Sequence, residues 1–338
     1  MYNNVNRFIE NYNFLIYNLF NLITILEKLY TFMKFFKFKK RKMTLFSKEF
    51  FKTLSGLGFC FLTSLLSSPN EATANECPSN LTLSGLNSTY YSCYITPDVY
   101  KITVYEMGLC TSDPLAGTYV DNSNETITDN AIDESSCQAT FKNADGSLIN
   151  LAGGASQTLT GGTNIRPTNG RYPHAYIKIK NVFGLKGSYT VSGTTYYSKS
   201  VIQNGAANGV SDTDESNYTE WNETLVDFDK GSECEPLESN RLMAASETFN
   251  SGITGTMKAV LANVSGDTYS GTTQANCGTS TRLFGAFAPT DPVVISEQTQ
   301  GLEVSFTITK RGVSIFPGNN PYVVEFGSGP FTPGFQTF

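Results

Sequence analysis

Along "GLEVSFTITK", every second side chain is apolar. Leu302, Val304, Phe306 and Ile308 share one side; Glu303, Ser305, Thr307 and Thr309 share the other. An extended strand sends successive side chains to opposite faces, so this pattern buries one face and wets the other. Period two recurs along the chain and helical period is nearly absent, which points to an all-β fold.

Further segments repeat the signal. After "GLEVSFTITK", the "KRG" reads as a tight turn into Val313-Ser314-Ile315-Phe316, which predicts a β-hairpin with one wet face. "AYIKIKNVFG" sets Ile177 and Ile179 against Lys178 and Lys180. "SYTVSGTTYYS" predicts two short strands around Ser192-Gly193, and "DVYKITVYEMGLC", apolar on both sides, predicts a central strand. "YVVEF" is another strand. Between them lie turn-forming clusters such as "LAGGASQTLTGGTNIRPTNG". One helix is predicted, in "PLESNRLMAASETF", with Pro236 at its start and Gly252 after it.

Many short strands with Gly-rich turns predict one or two antiparallel β-sandwich domains with Gly/Asn-rich loops. An outer-membrane barrel is the rival, since the sequence ends in Phe338. Pro333 and Gly334 in "GPFTPGFQTF" suit a loop better than a barrel's closing strand. The small, polar stretch near residue 205 is the expected boundary. It separates a sandwich domain, 75–205, from a second β-rich domain or an extension of the first, 206–338.

The sequence before residue 75 differs in kind. Residues 1–42 hold no Gly, Ala, Pro, Ser or Asp, and 30 of the 42 are Phe, Tyr, Met, Ile, Asn or Lys. That is the bias of AT-rich DNA without selection on its product, and it predicts a mis-called extension with the true start at Met43. Residues 43–74 then have the order of a signal peptide: Lys48 and Lys52, the apolar "TLSGLGFCFLTSLL", and Ala72-Thr73-Ala74 as the cleavage site. The apolar core is too short to span a bilayer. The expected mature chain, Asn75 to Phe338, is secreted or lodged in the cell envelope, with no integral membrane span.

Cysteine usage agrees. Cys60 leaves with the signal peptide, and Cys77, Cys93, Cys110, Cys137, Cys234 and Cys277 remain. An even count in an exported chain predicts up to three disulfides, with fifteen connectivities open. Proximity in sequence favours Cys77–Cys93, Cys110–Cys137 and Cys234–Cys277. The mature region carries 26 acidic and 14 basic residues, a net charge of −12, which disfavours nucleic acid as a partner.

"YKITVYEMGLC", "GSLINLAGG" and "RPTNGRYPHAYIKIKNVFGLKGSYTVSG" together resemble exported bacterial β-sandwich domains of the transthyretin-like, Ig-like kind. In those, a first strand is followed by a Leu-containing strand and by Pro-x-Gly-x-Tyr leading into another. The resemblance covers about residues 98–195. It implies fold and export, and it brings no catalytic residues.

Two constellations invite a site. From Asp212, "DTDESNYTEWNE" places oxygen side chains at positions 1, 3, 5, 9 and 12 of a calcium-type loop: Asp212, Asp214, Ser216, Glu220 and Glu223. Position 6 is Asn217 where the sharp turn wants Gly, and the preceding "VIQNGAANGV" is a poor helix, so the expectation falls to weak calcium binding by an acidic loop. In "YPHAYIKI", strand alternation puts Tyr172, His174, Tyr176 and Lys178 on one face, and the first three predict a ligand-contact stripe. His174 is the only histidine, and no G-x-S-x-G is present; no catalytic residues are assigned. Trp221 is the only tryptophan. In Tyr90-Tyr91 and Tyr196-Tyr197, alternation predicts one core ring and one outward ring. N-x-[ST] triplets stand at Asn80, Asn87, Asn124, Asn217, Asn222 and Asn263.

The sequence therefore predicts an exported, non-enzymatic sandwich, adhesive or structural, with surface glycans or copies of itself as partners and no cofactor beyond weakly held calcium. Two alternatives stay open: a subunit of an extracellular filament, and a secreted carbohydrate-acting hydrolase using two carboxylates.

Overall fold

The computed structural model describes residues 76–88, 92–117, 132–152, 158–203, 206–228, 242–249 and 255–338. The expected extension 1–42 and signal peptide 43–74 lie outside the described residues.

A single turn of helix, α1 (Leu83–Asn87), comes first, capped by the Thr82 hydroxyl accepting from the Gly85 N–H. Strands follow in order: β1 (Cys93–Ile95), β2 (Val99–Cys110), β3 (Cys137–Asn150), β4 (Thr163–Asn164), β5 (Gly170–Tyr172), β6 (His174–Lys180) and β7 (Val182–Lys186). Next are β8 (Ser188–Val191), β9 (Thr194–Gln203), β10 (Ala206–Asp212), β11 (Trp221–Thr224), β12 (Ala244–Phe249), β13 (Gly255–Ser265) and β14 (Thr268–Gly271). The chain finishes with β15 (Arg282–Pro289), β16 (Val293–Ile295), β17 (Leu302–Thr307), β18 (Val313–Pro317), β19 (Val324–Ser328) and β20 (Thr332–Thr337).

The fold is all-β, built from antiparallel sheets packed on one another. A six-stranded sheet has the order β1-β18-β19-β10-β9-β8. A ten-stranded sheet runs β11-β7-β2-β6-β15-β13-β12, with β14 beside β13 and β3–β4 beside β2. Two ribbons, β16-β5 and β17-β20, complete it. Both sheets contain strands from before and after residue 205.

Period two explains the interior. Ile315, Val324 and Phe326 of the smaller sheet join Ile102, Val104, Ile177, Ile179 and Leu185 of the larger in one sealed core. Trp221, 1 % exposed, reaches Phe326 across the layers at 6.0 Å between ring centroids. The backbone of β10 passes directly over this indole: a Cβ at Gly209 would stand 2.5 Å from the ring, so only glycine fits there. The turn at Ser192-Gly193 forms as expected, with both residues at positive φ (51° and 80°) between β8 and β9. Tyr196 is buried and Tyr197 faces out, as alternation predicts. β2 is central, pairing with β3 on one side and β6 and β7 on the other.

Four expectations are corrected. The hairpin "GLEVSFTITKRGVSIFP" does not form: β17 keeps its alternation but pairs with β20, while β18 crosses to the six-stranded sheet between β1 and β19. "GPFTPGFQTF" is a strand, not a loop. β20 pairs with β17 alone among the described residues, so the missing N–H of Pro333 breaks no second ladder. Of the predicted helix, the described part is strand β12, paired along its length with β13; tertiary pairing overrides a moderate helix propensity. Lys178 does not reach solvent. It is 4 % exposed, because a second apolar cluster, including Leu115, Tyr176, Val260, Phe284 and Ala286, covers the other face of the ten-stranded sheet.

Disulfides Cys77–Cys93 and Cys110–Cys137 form as expected. Cys277 is bonded too, and Cys234, the partner expected for it, lies outside the described residues. Bonds of this kind persist in oxidising compartments. No helix among the described residues is long and apolar enough to cross a membrane.

Candidate functional site

The covered back face holds a cluster of ionisable groups around Lys178, and a bulge in β2 builds it. Ile102 and Val104 point into the main core, and Met107 and Leu109 do so again after the register shift between Val104 and Glu106. One extra residue in the strand reverses the parity, so Glu106 emerges on the back. The partner strand accommodates the shift with Gly146 at φ 83°, where a Cβ would stand 2.4 Å from Thr103.

There Glu106 meets Lys178, which strand β6 sends to the same face. The Lys178 ammonium lies 2.6 Å from Glu134 Oε2 and 3.4 Å from Glu106 Oε2. It also sits over the ring of Tyr269 at 4.4 Å and near that of Tyr176 at 5.5 Å. The Tyr176 hydroxyl donates to Glu106 Oε1 at 2.5 Å, and Lys142 adds a 3.3 Å ion pair to Glu106 from the exposed side. Burial, then the bond to Glu106, pushes the Tyr176 phenol upward, so it stays protonated and donating. A cavity of about 430 Å³ opens beside the cluster, bounded by Glu106, Glu134, Gln138, Lys142 and Tyr176.

The two distances to Lys178 put an upper bound of about 6 Å on the separation of the two carboxylate oxygens, which admits the roughly 5 Å spacing of retaining glycosidases. The ammonium occupies the space between them. A buried cation joining two acids is first of all a compensated charge cluster, in which each member answers the desolvation of another.

A second buried acid lies in the main core. Glu223 on β11 accepts from the Ser328 N–H at 2.6 Å and the Ser328 hydroxyl at 2.9 Å. Burial raises its pKa, against the lowering effect of the Ser328 bonds.

This placement separates the five residues of the calcium-type loop. Asp212, ending β10, accepts from Lys199 Nζ and Asn217 Nδ2, each at 3.0 Å, and from the Asp214 N–H at 2.9 Å. Asp214 caps the single helical turn Glu215–Asn217, which contains Ser216, by accepting from the Ser216 N–H. Glu220 pairs with Lys101 at 2.6 Å. Strand β11 then turns Trp221 and Glu223 inward together, away from the other four. No group of three or more His, Cys, Asp or Glu suited to a metal occurs among the described residues.

The aromatic stripe is also divided. Pro173 separates β5 from β6, and Tyr172 packs in the main core while Tyr176 lies on the back face, stacked on Phe284 at 5.6 Å. Both rings are buried. His174 is half-buried near the Asp113–Lys258 pair, and burial lowers its pKa, so it is neutral at physiological pH. The sequence reading missed Glu106, Glu134 and Lys178. The phase slip from Ile102/Val104 to Met107/Leu109 is the signal that marks Glu106.

No protein-family model matches the sequence, and neither a curated protein nor a solved structure matches it significantly.

Proposed function

We propose that the chain is an exported, non-enzymatic β-sandwich of the cell envelope or extracellular space, whose surface serves adhesion or structure. The observation that supports this best is the commitment of its buried acids. Glu106 and Glu134 are joined through Lys178, and Glu223 is engaged by Ser328. The disulfides favour an oxidising destination, as the signal-peptide reading of residues 43–74 requires. The transthyretin-like, Ig-like affinity of residues 98–195 belongs to the same proposal. Short outer strands at three of the four ends of the two main sheets weigh against filament growth by edge pairing: β1 has 3 residues, β8 and β11 have 4 each, and β12, at the fourth, has 6.

One observation favours the hydrolase instead, the proximity of Glu106 and Glu134 beside a cavity. A single experiment separates the two. Purified exported protein is applied to an array of glycans and to immobilised copies of itself, with release of reducing ends measured in parallel. Saturable binding without turnover is expected. Sugar release abolished by Glu134→Gln would overturn the proposal. Intact mass checks the compartment: a chain starting at Asn75 should gain about 6 Da on reduction, two hydrogens for each of three bridges.

A further inference from the structure

A second cavity is an open groove of about 800 Å³, which Glu106, Glu134 and Lys178 do not line. It lies where the β17–β20 ribbon covers an end of the ten-stranded sheet. One wall is Met107, Phe141 and Ile149; the other is Leu302, Val304 and Phe306. Alternation explains the second wall: Leu302, Val304 and Phe306 are the more buried residues of β17, while Glu303 and Ser305, more exposed, also border the groove, with Arg166 at another part of its lining. The volume lies within the range of small-molecule sites, which are mostly apolar with a few fixed polar groups. At the rim, Ile165 and Phe338 leave apolar surface in water, 39 % and 66 % exposed.

The rim also carries a prepared cation. Arg166 Nη1 donates to the Pro167 carbonyl at 3.1 Å, and Nη2 donates to Asn169 Oδ1 at 2.9 Å and the Ser296 carbonyl at 2.7 Å. These acceptors are neutral, and no ion pair to Arg166 forms among the described residues. The guanidinium is thus oriented by neutral acceptors and has donors to spare at the mouth of the groove.

We propose that this groove binds a free, single-chain anionic amphiphile, its apolar tail between the two walls and its head group on Arg166. Charge complementarity selects the head and the six apolar walls select the tail. The site goes beyond the adhesive or structural reading, and its failure would leave that reading untouched, because glycan and self binding are measured separately.

The test is a fluorescence titration of the oxidised, purified protein with 11-(dansylamino)undecanoic acid. Saturable, blue-shifted binding is expected, displaced by hexadecanoate about tenfold better than by hexadecanol, since a charged hydrogen bond is lost with the alcohol. Arg166→Gln should weaken the probe about tenfold and remove the difference between acid and alcohol. Val304→Trp should fill the trough and abolish binding. Ile165→Asp, at an exposed position that does not threaten folding, should weaken both competitors, and the acid more than the alcohol, because the new carboxylate beside Arg166 repels an anionic head. Absence of saturable binding, or binding indifferent to Ile165→Asp and Arg166→Gln, would overturn the proposal. So would Arg166-dependent co-sedimentation with phosphatidylglycerol vesicles in protein that does not take up the free probe, since the ligand would then be a membrane lipid.

Discussion

Glu223 and Lys178 are both buried ionisable groups, one on each side of the ten-stranded sheet, and the fold accommodates them by opposite means. Glu223 lies in the core with hydrogen-bond donors around it and no ion pair among the described residues. Its neighbour Tyr100 gives its own proton to the Gly329 carbonyl at 2.9 Å, and burial followed by the charge of Glu223 pushes the Tyr100 phenol upward. Lys178 lies under the back cluster with two carboxylates and two aromatic rings around it. A lone acid in a core is held by donors and by a raised affinity for its own proton; a buried ammonium is held by opposite charge. The first arrangement is sensitive to pH, the second to removal of a partner.

The largest effect should therefore come from the back. Lys178→Met leaves Glu106 and Glu134 facing each other without their cation, and stability should fall by about 3–5 kcal/mol in urea unfolding. The triple variant Lys178→Met, Glu106→Gln, Glu134→Gln should recover most of it, since a cluster replaced as a whole leaves no uncompensated charge. A loss that the triple variant does not recover would mean that Lys178 acts by packing alone.

Next comes the staple beside that cluster. The Cys110–Cys137 bridge closes 27 residues and lies in register with His174. Replacing both cysteines by serine should cost about 3–4 kcal/mol by loss of the loop constraint on the unfolded chain. The effect should reach the back cluster and leave the Trp221–Phe326 core contact unchanged in near-ultraviolet circular dichroism.

On the core side, Glu223→Ala strips the Ser328 N–H and hydroxyl of their acceptor, and should cost about 1–3 kcal/mol. This ranks below Lys178→Met because neutral donors are stranded instead of charges. A larger loss than that of Lys178→Met would reverse the comparison.

Both sites were unevenly legible in the sequence. Strand-forming segments, the Ser192-Gly193 turn and the two described disulfides follow from local rules, because alternation, φ > 0 and short loop closure act between near neighbours. Which strand pairs with which does not. β17 and β18 are separated by five residues yet belong to different sheets, a choice made by the pairing of β17 with β20 and of β18 with β1, both distant in sequence. The same limit hid the sites. Lys178 reads as solvent-facing because nothing local announces a second layer over its face. Glu223 reads as a loop ligand because its acidic neighbours outweigh the Trp221-x-Glu223 parity that carries both inward. The Tyr172–Tyr176 stripe fails at Pro173, where the strand breaks and the faces change.

The smallest effect is also the sharpest test of the comparison, because its size depends on pH. Burial raises the pKa of Glu223 from 4.5. The fold therefore keeps a proton that the unfolded chain has already released, and the resulting stabilisation is complete below pH 4.5 and disappears as pH rises through the raised value. His174 works in the opposite direction. Burial lowers its pKa from 6.5, so its contribution is present above pH 6.5 and is lost as pH falls below it, reduced by its partial exposure. Glu223→Gln keeps the shape and an acceptor for the Ser328 N–H, but removes the titration. Its urea midpoint should match that of the parent near pH 4.5 and exceed it increasingly toward pH 8, with the parent's acid-side loss from His174 unchanged. A gap between the two midpoints that is constant across this range would show that Glu223 keeps its charge state throughout, and that the core holds a lone carboxylate by hydrogen bonds alone.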